Sequence, residues 1–281
     1  MKIMKRLLHI LICILIIFQT SCYPSNKKNS NSPKLNVYFI NVGQGDSILI
    51  QYKDINMLID AGPSYNNKKL ISFLKKHNVK KLDYVIATHP HEDHIGSMPN
   101  IIKKFKIAKF YAPKVLTDTD TFKSMISELR KKSLKISVAK NGAIIKFDAF
   151  TSLEFLSPIK DNYENLNNYS AVVLLKYMNT SFLFTGDAEK LIEMDLLSNN
   201  KNLKADVIKI SHHGSNTSTS EDFIDKVKPQ IAVISCGLGN DFGHPHEQVL
   251  KTLLSRDIIC YRTDTHGNLL LQSDGNNISR R

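Results

Sequence analysis

Four side chains that can bind a metal ion stand within six residues of one another, in the segment Thr88-His89-Pro90-His91-Glu92-Asp93-His94. Imidazole suits zinc and similar ions, and carboxylate suits harder ones. His89 and His91 are two residues apart in a stretch that we expect to be extended, so they project to the same side and can bind one ion. Asp93 and His94 follow where the chain turns towards a helix, and they can reach a second ion. The chain must therefore fold so that other ligands can join this segment.

Two other interpretations of this segment are a histidine-rich surface loop and a structural site for a single ion. The segment directly follows the apolar, strand-like residues 83–88, which a plain surface loop does not explain. Structural zinc sites commonly use cysteines, and this crowded segment contains none. The pattern therefore favours a two-metal centre at the end of a buried strand.

Hydrophobic periodicity predicts a layered α/β domain that begins near Leu35. Strands are predicted at residues 36–42, 47–52, 56–60, 83–88, 109–112, 206–210 and 230–235, in several short pieces within 135–185, and near 258–262 and 268–272 as the two closing strands. Helices are predicted at residues 67–77, 122–129, 191–197, 223–227 and 249–254. Polar clusters at strand ends are typical ligand sites in such domains, because the strands hold the loops rigidly.

The amino terminus resembles a signal peptide. Lys2, Lys5 and Arg6 precede an almost unbroken apolar run at residues 7–18, which is too short to span a membrane as a mature helix. The following Gln19-Thr20-Ser21-Cys22 resembles a bacterial lipoprotein cleavage site, although an aliphatic residue is usual at the first of these positions. Ordinary cleavage and an uncleaved anchor are the alternatives.

The residues that follow are polar and rich in Asn, Ser and Lys, so they cannot form a core and are predicted to be a flexible tether. We therefore expect a signal peptide at residues 1–21, a lipidated Cys22 with its tether at 22–34, and a folded domain at 35–281. The protein is expected to be exported, either as a lipoprotein on the outer face of the cytoplasmic membrane or as a secreted protein.

The net charge of +12 favours polyanionic partners such as nucleic acid, anionic wall polymers or acidic lipid. The alternative is that lysine is simply abundant in this chain, since no compact basic block is present. Removal of residues 1–21 would leave a net charge of +9. Within the expected folded domain, Cys236 and Cys260 lie in apolar, strand-like contexts and are predicted to be buried free thiols, with a disulfide as the alternative.

The spacing of His89, His91, Asp93 and His94 is the HxHxDH signature, and the chain resembles the metallo-β-lactamase superfamily over residues 35–275. The resemblance implies an α/β fold of the αββα type, in which two mixed β-sheets pack together and helices flank them. It also implies two divalent metal ions, zinc or manganese, and hydrolase activity.

Further motifs match this superfamily in the expected order. Asp60, in Asp60-Ala61-Gly62, matches the acidic turn that supports the site, and Asp187 matches the carboxylate that bridges the two ions. In the late motif, His213 is assigned as a ligand of the second ion and His212 as a phosphate-facing or proton-donating group. The opposite assignment of the two histidines is the alternative.

The chain also looks like the soluble nuclease-like domain of the ComEC family of DNA-uptake channel proteins. The motifs that carry this likeness are Phe39-Ile40-Asn41-Val42-Gly43-Gln44-Gly45-Asp46-Ser47, with Asn41 where Asp is common, Asn167-Asn168-Tyr169-Ser170, Ser211-His212-His213-Gly214-Ser215, Gly243-His244-Pro245 and Tyr261-Arg262-Thr263-Asp264.

Many members of the wider superfamily carry a further Gly-His motif, which supplies a third ligand to the first ion. This chain has no histidine between His94 and His212, and the loop around Asn167 occupies that stretch. The ComEC group shares this difference. The resemblance therefore implies that His89, His91 and Asp187, together with an amide oxygen or water, hold the first ion. This ligand set would either weaken the site or shift it from zinc towards manganese.

Together, these resemblances imply an exported phosphodiesterase or nuclease that acts on extracellular DNA, with no obligate protein partner. Asp93 would orient the attacking hydroxide. The residues expected to contact the substrate, or alternatively to support the loops, are Ser215, His244, His246 and Asn167. Alternative functions are hydrolysis of phosphodiesters in teichoic-acid-type wall polymers, hydrolysis of β-lactams, and a metal-bearing surface protein that binds DNA without turnover.

Overall fold

The structure is a computed structural model that describes residues 33–199 and 202–281. The predicted signal peptide, the predicted lipidation site at Cys22 and nearly all of the predicted tether lie outside the described residues. Within the described part, no helix is long and apolar enough to cross a membrane.

Two β-sheets form the middle of the described fold. Their strands, in chain order, are β1 (Leu35–Phe39), β2 (Ile48–Tyr52), β3 (Ile55–Ile59), β4 (Lys81–Ile86), β5 (Lys106–Ala112), β6 (Ile136–Val138), β7 (Ile144–Lys146), β8 (Thr151–Phe155), β9 (Val173–Tyr177), β10 (Thr180–Phe184), β11 (Val207–Lys209), β12 (Ile231–Ile234), β13 (Ile259–Arg262), β14 (Leu269–Ser273) and β15 (Ile278–Arg280). One sheet has eight strands in the order β15-β14-β1-β2-β3-β4-β5-β6. The other has seven in the order β13-β12-β11-β10-β9-β8-β7.

The helices lie outside the two sheets. They are α1 (Asn67–Lys76), α2 (Glu92–Ile95), α3 (Met98–Lys104), α4 (Asp120–Lys131), α5 (Lys190–Asn199), α6 (Glu221–Val227), α7 (Glu247–Leu254) and α8 (Thr263–His266), with short 3-10 turns at Ser64–Asn66, Leu166–Tyr169 and Ser211–Gly214. Side chains of α1, α3 and α4 pack on the outer face of the eight-stranded sheet, and those of α5, α6 and α7 pack on the outer face of the seven-stranded sheet.

The inner faces of the sheets pack against each other because the strands alternate between buried and partly exposed residues. In β1, for example, the first, third and fifth residues are fully buried and the two between them are not. Phe39 meets Phe184 across the sheets with ring centroids 6.1 Å apart, and Tyr52 meets Tyr177 at 5.2 Å. These layers confirm the predicted αββα sandwich of two mixed sheets.

Helices α3 and α8 were not among the predicted helices, and two further differences from the sequence-based prediction lie at the edges of the sheets. The chain closes with three strands rather than two, because β15 adds to the edge of the eight-stranded sheet beside β14. Cys236 is a buried free thiol as predicted, but Cys260 is only partly buried because β13 forms an edge of its sheet. Neither thiol forms a disulfide in the described structure.

The order of the strands explains where a site can form. β3, β4 and β5 are parallel in one sheet, and β10 to β13 are parallel in the other. The loops that leave the carboxyl ends of these strands carry Asp60, the histidine-rich segment, Asp187 and the His212-His213 turn. The fold thus brings the polar ends of both sheets to one edge.

Candidate metal centre

His89 and His91 occupy the extended link between β4 and α2. His91 has φ −78° and ψ 153°, and the helix begins at the next residue. His89 Nε2 lies 3.0 Å from His91 Nδ1, so the two imidazoles face a common point. Glu92 turns away from this point and accepts a hydrogen bond from the backbone N–H of Ser64.

A second group of ligand atoms lies beside this pair. Asp93, His94, Asp187 and His213 each place one ligand atom within 4.8 Å of the others. Asp187 Oδ2 is 3.2 Å from His94 Nε2 and 3.3 Å from His213 Nε2, and Asp93 Oδ2 is 3.0 Å from His213 Nε2. Asp187 Oδ2 also lies 3.9 Å from His89 Nε2. Asp187 therefore stands between the two groups.

The turn after β11 directs its two histidines to different places. His212 and His213 both adopt left-handed backbone conformations, with φ 49° and 54°, which cost about 1–2 kcal/mol each for residues other than glycine. His213 is buried, and its Nδ1 lies 2.9 Å from the Ser235 carbonyl, so Nε2 faces the ligand cluster. His212 is partly exposed, with Nδ1 at 3.0 Å from the Thr217 hydroxyl and Nε2 at 3.8 Å from Asp187 Oδ2.

Asp60 lies behind His94, in the position that the family resemblance assigns to a supporting residue. Its Oδ2 is 2.8 Å from His94 Nδ1. Its two oxygens also accept hydrogen bonds from the backbone N–H and the hydroxyl of Thr88, at 2.8 and 2.6 Å. Since Nδ1 of His94 is engaged on this side, Nε2 is directed to the ligand cluster.

Burial and neighbouring charges together set the pKa values at this site. Burial lowers the pKa of His89 well below its ordinary value, and His94 lowers it further. Burial acts in the same direction on His94 and His213, but the Asp187 carboxylate and its acidic neighbours raise the pKa of both imidazoles well above the ordinary value. The carboxylates thus form a buried negative pocket that takes up positive charge, either as protons or as metal ions.

The side chains present fit a divalent ion. His94 Nε2 and Asp187 Oδ1 are buried and find no hydrogen-bond partner among the described residues, although buried polar atoms are usually paired. An ion held by the cluster would give His94 Nε2 a partner. The donor set of imidazole nitrogens and carboxylate oxygens, without thiolates, suits zinc and manganese.

Two buried charged residues at the centre were missed by the sequence analysis. Asp46 appeared in that analysis only as part of a family motif, without a role at the centre, and Lys209 lies in a strand between apolar neighbours. Lys209 Nζ lies 2.5 Å from Asp46 Oδ2 and 3.9 Å from Asp187 Oδ1, and both side chains are buried. Asp46 Oδ1 is 3.5 Å from His213 Nδ1. For Lys209, the sequence signal was a charged residue in an otherwise apolar strand, and for Asp46 it was membership of the family motif.

Two of the residues predicted to contact substrate form hydrogen bonds within the loops. Ser215 is buried, and its hydroxyl accepts a hydrogen bond from the backbone N–H of Thr217 at 3.3 Å. His246 Nδ1 accepts a hydrogen bond from the backbone N–H of Asn216 at 2.9 Å. Both arrangements correspond to the alternative, loop-supporting role.

The other two predicted contacts lie differently. The His244 ring is partly exposed, and its centroid is 5.6 Å from that of His212 and 6.2 Å from that of His213. Asn167 is buried; its Nδ2 donates to Glu189 at 3.4 Å, and its Oδ1 lacks a hydrogen-bond partner in the described part of the chain. His244 therefore borders the centre, whereas Asn167 contributes an unpaired amide oxygen in the loop where the third histidine of other family members is expected.

Comparison with known proteins agrees with this architecture. The family model described as the metallo-beta-lactamase superfamily matches residues 40–238. The crystal structure of the metallo-beta-lactamase fold protein YhfI from Bacillus subtilis superposes with a TM-score of 0.55 and 13% identity, covering 86% of this chain and all of that one. At this identity the likeness concerns the fold alone.

Curated relatives are similar over longer or shorter parts of the chain. ComE operon protein 3 of Bacillus subtilis is 32% identical, covering 92% of this chain and 35% of that protein. Competence protein ComA of Neisseria gonorrhoeae is 28% identical, covering 81% and 30%. Ribonuclease J of Mycoplasma genitalium is 30% identical, covering 37% and 18%. The chain spans about a third of the length of the two competence-type relatives.

The family model covers well over half of the chain, and the fold and the order of the site motifs agree with it. The chain therefore belongs to the metallo-beta-lactamase superfamily and is similar to competence proteins of the ComEC type.

Proposed function

We propose that this protein is an exported, metal-dependent phosphodiesterase that cleaves nucleic acid, with extracellular DNA as its substrate. The observation that carries the proposal is the cluster of Asp93, His94, Asp187 and His213 beside the His89–His91 pair. The nuclease named among the relatives and the competence-type relatives support a nucleic acid rather than another phosphodiester. A lipid anchor at Cys22 would place the enzyme on the outer face of the membrane.

In this proposal, His89, His91 and Asp187 would hold one ion, and the four-residue cluster would hold the other. When bound, two divalent ions supply an activated water and polarise the phosphoryl oxygen. Asp93 is the carboxylate nearest to the open side of the cluster, since 31% of its side chain is exposed whereas Asp187 is 2% exposed. We assign Asp93 the role of orienting the attacking group.

His212 is assigned to proton transfer or phosphate binding. Burial lowers its pKa, although Asp187 acts in the opposite direction. Its Nδ1 is occupied by the Thr217 hydroxyl, so Nε2 is the atom that faces the open side of the site. A largely neutral imidazole in this position can exchange a proton with the substrate near neutral pH.

The test is hydrolysis by the purified protein, supplied with Zn²⁺ or Mn²⁺, of single-stranded DNA, double-stranded DNA and bis-p-nitrophenyl phosphate. We expect His91→Ala to reduce DNA cleavage by at least about 100-fold, because loss of a direct ligand should cost no less than loss of a residue that supports one. His77→Ala is the control, since this histidine stacks on Phe73 and meets the Tyr38 ring edge-on, away from the cluster.

Three other outcomes of this assay would contradict the proposal. Cleavage of the small diester without cleavage of DNA would favour a wall polymer as the substrate. Binding of DNA without cleavage by the metal-loaded protein would indicate a surface DNA-binding protein rather than an enzyme. DNA cleavage that His91→Ala leaves intact would overturn the proposed site.

A further inference from the structure

The loop between β12 and α7 is held in place by one asparagine. Asn240 Nδ2 donates hydrogen bonds to the carbonyls of Gly237 and His244 at 2.9 and 2.6 Å. Asn240 Oδ1 accepts from the backbone N–H groups of Phe242 and His244 at 3.2 and 3.0 Å. These four bonds use the full hydrogen-bonding capacity of a primary amide. The loop that carries Phe242 is therefore locally fixed.

The same loop is attached to the site from both sides. Gln44 Oε1 accepts a hydrogen bond from the backbone N–H of Gly237 at 3.0 Å, and Gln44 Nε2 lies 3.4 Å from His244 Nδ1. The backbone N–H of His246 donates to the Gly214 carbonyl at 2.9 Å, next to His213 in the chain. The position of the loop is thus coupled to the turn that carries the metal-facing histidine.

This fixed loop presents a large aromatic ring to solvent. Phe242 is 65% exposed, and its ring lies against that of His244 with centroids 5.6 Å apart and planes 20° apart. The His244 ring is in turn 6.2 Å from that of His213, with planes 29° apart. A series of three rings, each tilted by less than 30° from the next, therefore leads from the ligand cluster to the surface.

A single exposed apolar side chain is common on protein surfaces. Phe242 is different because its backbone is fixed and its ring continues a series that begins at the ligand cluster. An exposed ring one step beyond His244 offers a π-face to a flat partner, and bases of single-stranded nucleic acid bind proteins in this way. Polyol phosphate wall polymers have no flat ring that could use it.

We propose that Phe242 is a stacking site for a nucleobase next to the phosphate that occupies the metal centre, an inference that rests on the proposed nuclease function. A base in an intact duplex is covered by its neighbours on both faces and cannot stack on a protein side chain. The substrate class is therefore single-stranded or locally opened nucleic acid. Leu238, 82% exposed on the same loop, extends the apolar surface beside the ring.

The test is binding, measured by fluorescence anisotropy with the full chain carrying His91→Ala so that the probe is not cleaved. The probes are a fluorescein-labelled oligothymidylate and an abasic oligonucleotide with the same number of phosphates. We expect Phe242→Ala to weaken binding of the oligothymidylate about tenfold, from the usual contribution of one stacked base. Binding of the abasic probe should not change, and Phe242→Trp should restore the affinity.

Phe150→Ala is the matched control, because Phe150 is also an exposed phenylalanine, with 61% exposure, but lies away from the ligand cluster. It lies in the β7–β8 turn, and its carbonyl accepts a hydrogen bond from Met178 in the turn before β10. Asp187 follows the other end of β10. Equal weakening of both probes by Phe242→Ala, or no weakening of either, would overturn the stacking site while the proposed function stands. If the His91→Ala protein with Phe242 unchanged binds neither probe, the proposed function is overturned, and the stacking site with it.

Discussion

At the scale of single residues, the pair of Lys209 and Asp46 is the least expected feature of the centre. Both side chains are buried, and the Lys209 ammonium also donates to the Gly186 carbonyl at 3.1 Å. Burial would raise the pKa of Asp46, but Lys209 and the nearby imidazoles hold it below its ordinary value. Lys209 also faces Asp187 Oδ1, so it offsets part of the negative charge of the pocket.

Lys209→Met should therefore destabilise the metal-free protein by about 3–5 kcal/mol, because it leaves the Asp46 carboxylate buried without its partner. Urea unfolding in the presence of a chelator measures this change. The double variant Asp46→Asn, Lys209→Met removes both charges and should recover much of the loss. A single-variant cost below about 1 kcal/mol would mean that the pair is not desolvated in solution.

At the scale of elements, the loop before β2 and the turn after β3 hold the metal-binding segment in position. The backbone N–H of Asp46 donates to the Asp93 carbonyl at 3.1 Å, and that of Ala61 donates to the His94 carbonyl at 2.7 Å. Gly45 lies so close to this segment that a Cβ placed on it would be 2.2 Å from the Asp93 carbonyl oxygen. A side chain at this position therefore displaces the segment that carries His89, His91, Asp93 and His94.

Gly45→Ala should lower both the stability and the metal affinity. We expect a loss of more than about 2 kcal/mol, since both the positive φ and the backbone clash oppose alanine. Gly142→Ala is the control, because Gly142 also has a positive φ, 84°, but nothing lies within 4 Å of its Cβ position. It should cost about 1 kcal/mol and leave metal affinity unchanged. Equal effects of the two substitutions on metal affinity, measured by calorimetric titration, would contradict this role for the loop.

At the scale of the whole molecule, the candidate ligands come from both sheets. His89, His91, Asp93 and His94 follow β4 of the eight-stranded sheet, and Asp187 follows β10 of the seven-stranded sheet. A bound ion would therefore join the two layers at one edge. Ions that bind only the folded state raise its stability by an amount that grows with the logarithm of the ratio of ion concentration to dissociation constant.

Zn²⁺ or Mn²⁺ at a concentration of about 100 times its dissociation constant should stabilise the folded state by about 2.7 kcal/mol. For a domain of this size, that gain should raise the melting temperature by about 5–10 °C. Scanning calorimetry with and without a chelator measures the shift. His213→Ala should abolish most of it, and His77→Ala should retain it. A shift that persists in His213→Ala would place the ion elsewhere.

The sequence alone was sufficient for the fold class, for most strands and helices, and for the grouping of His89, His91, Asp93 and His94. These features depend on periodicity and on spacing within a few residues, which backbone geometry translates directly into structure. Resemblance to the family placed Asp187 and His213 at the same centre, and the structure brings both there. The extra strand β15 was missed because its three residues are too short for a periodic signal.

Only the tertiary structure decided which polar residues are buried and what they face. Lys209 and Asp46 are 163 residues apart in the chain and meet because β11 ends beside the loop that precedes β2. Ser215 is buried and His246 binds the backbone of a neighbouring loop, whereas Phe242 remains exposed. These outcomes depend on how the two sheets stack and where their loops meet. The local sequence around each residue does not predict contacts with residues far away in the chain.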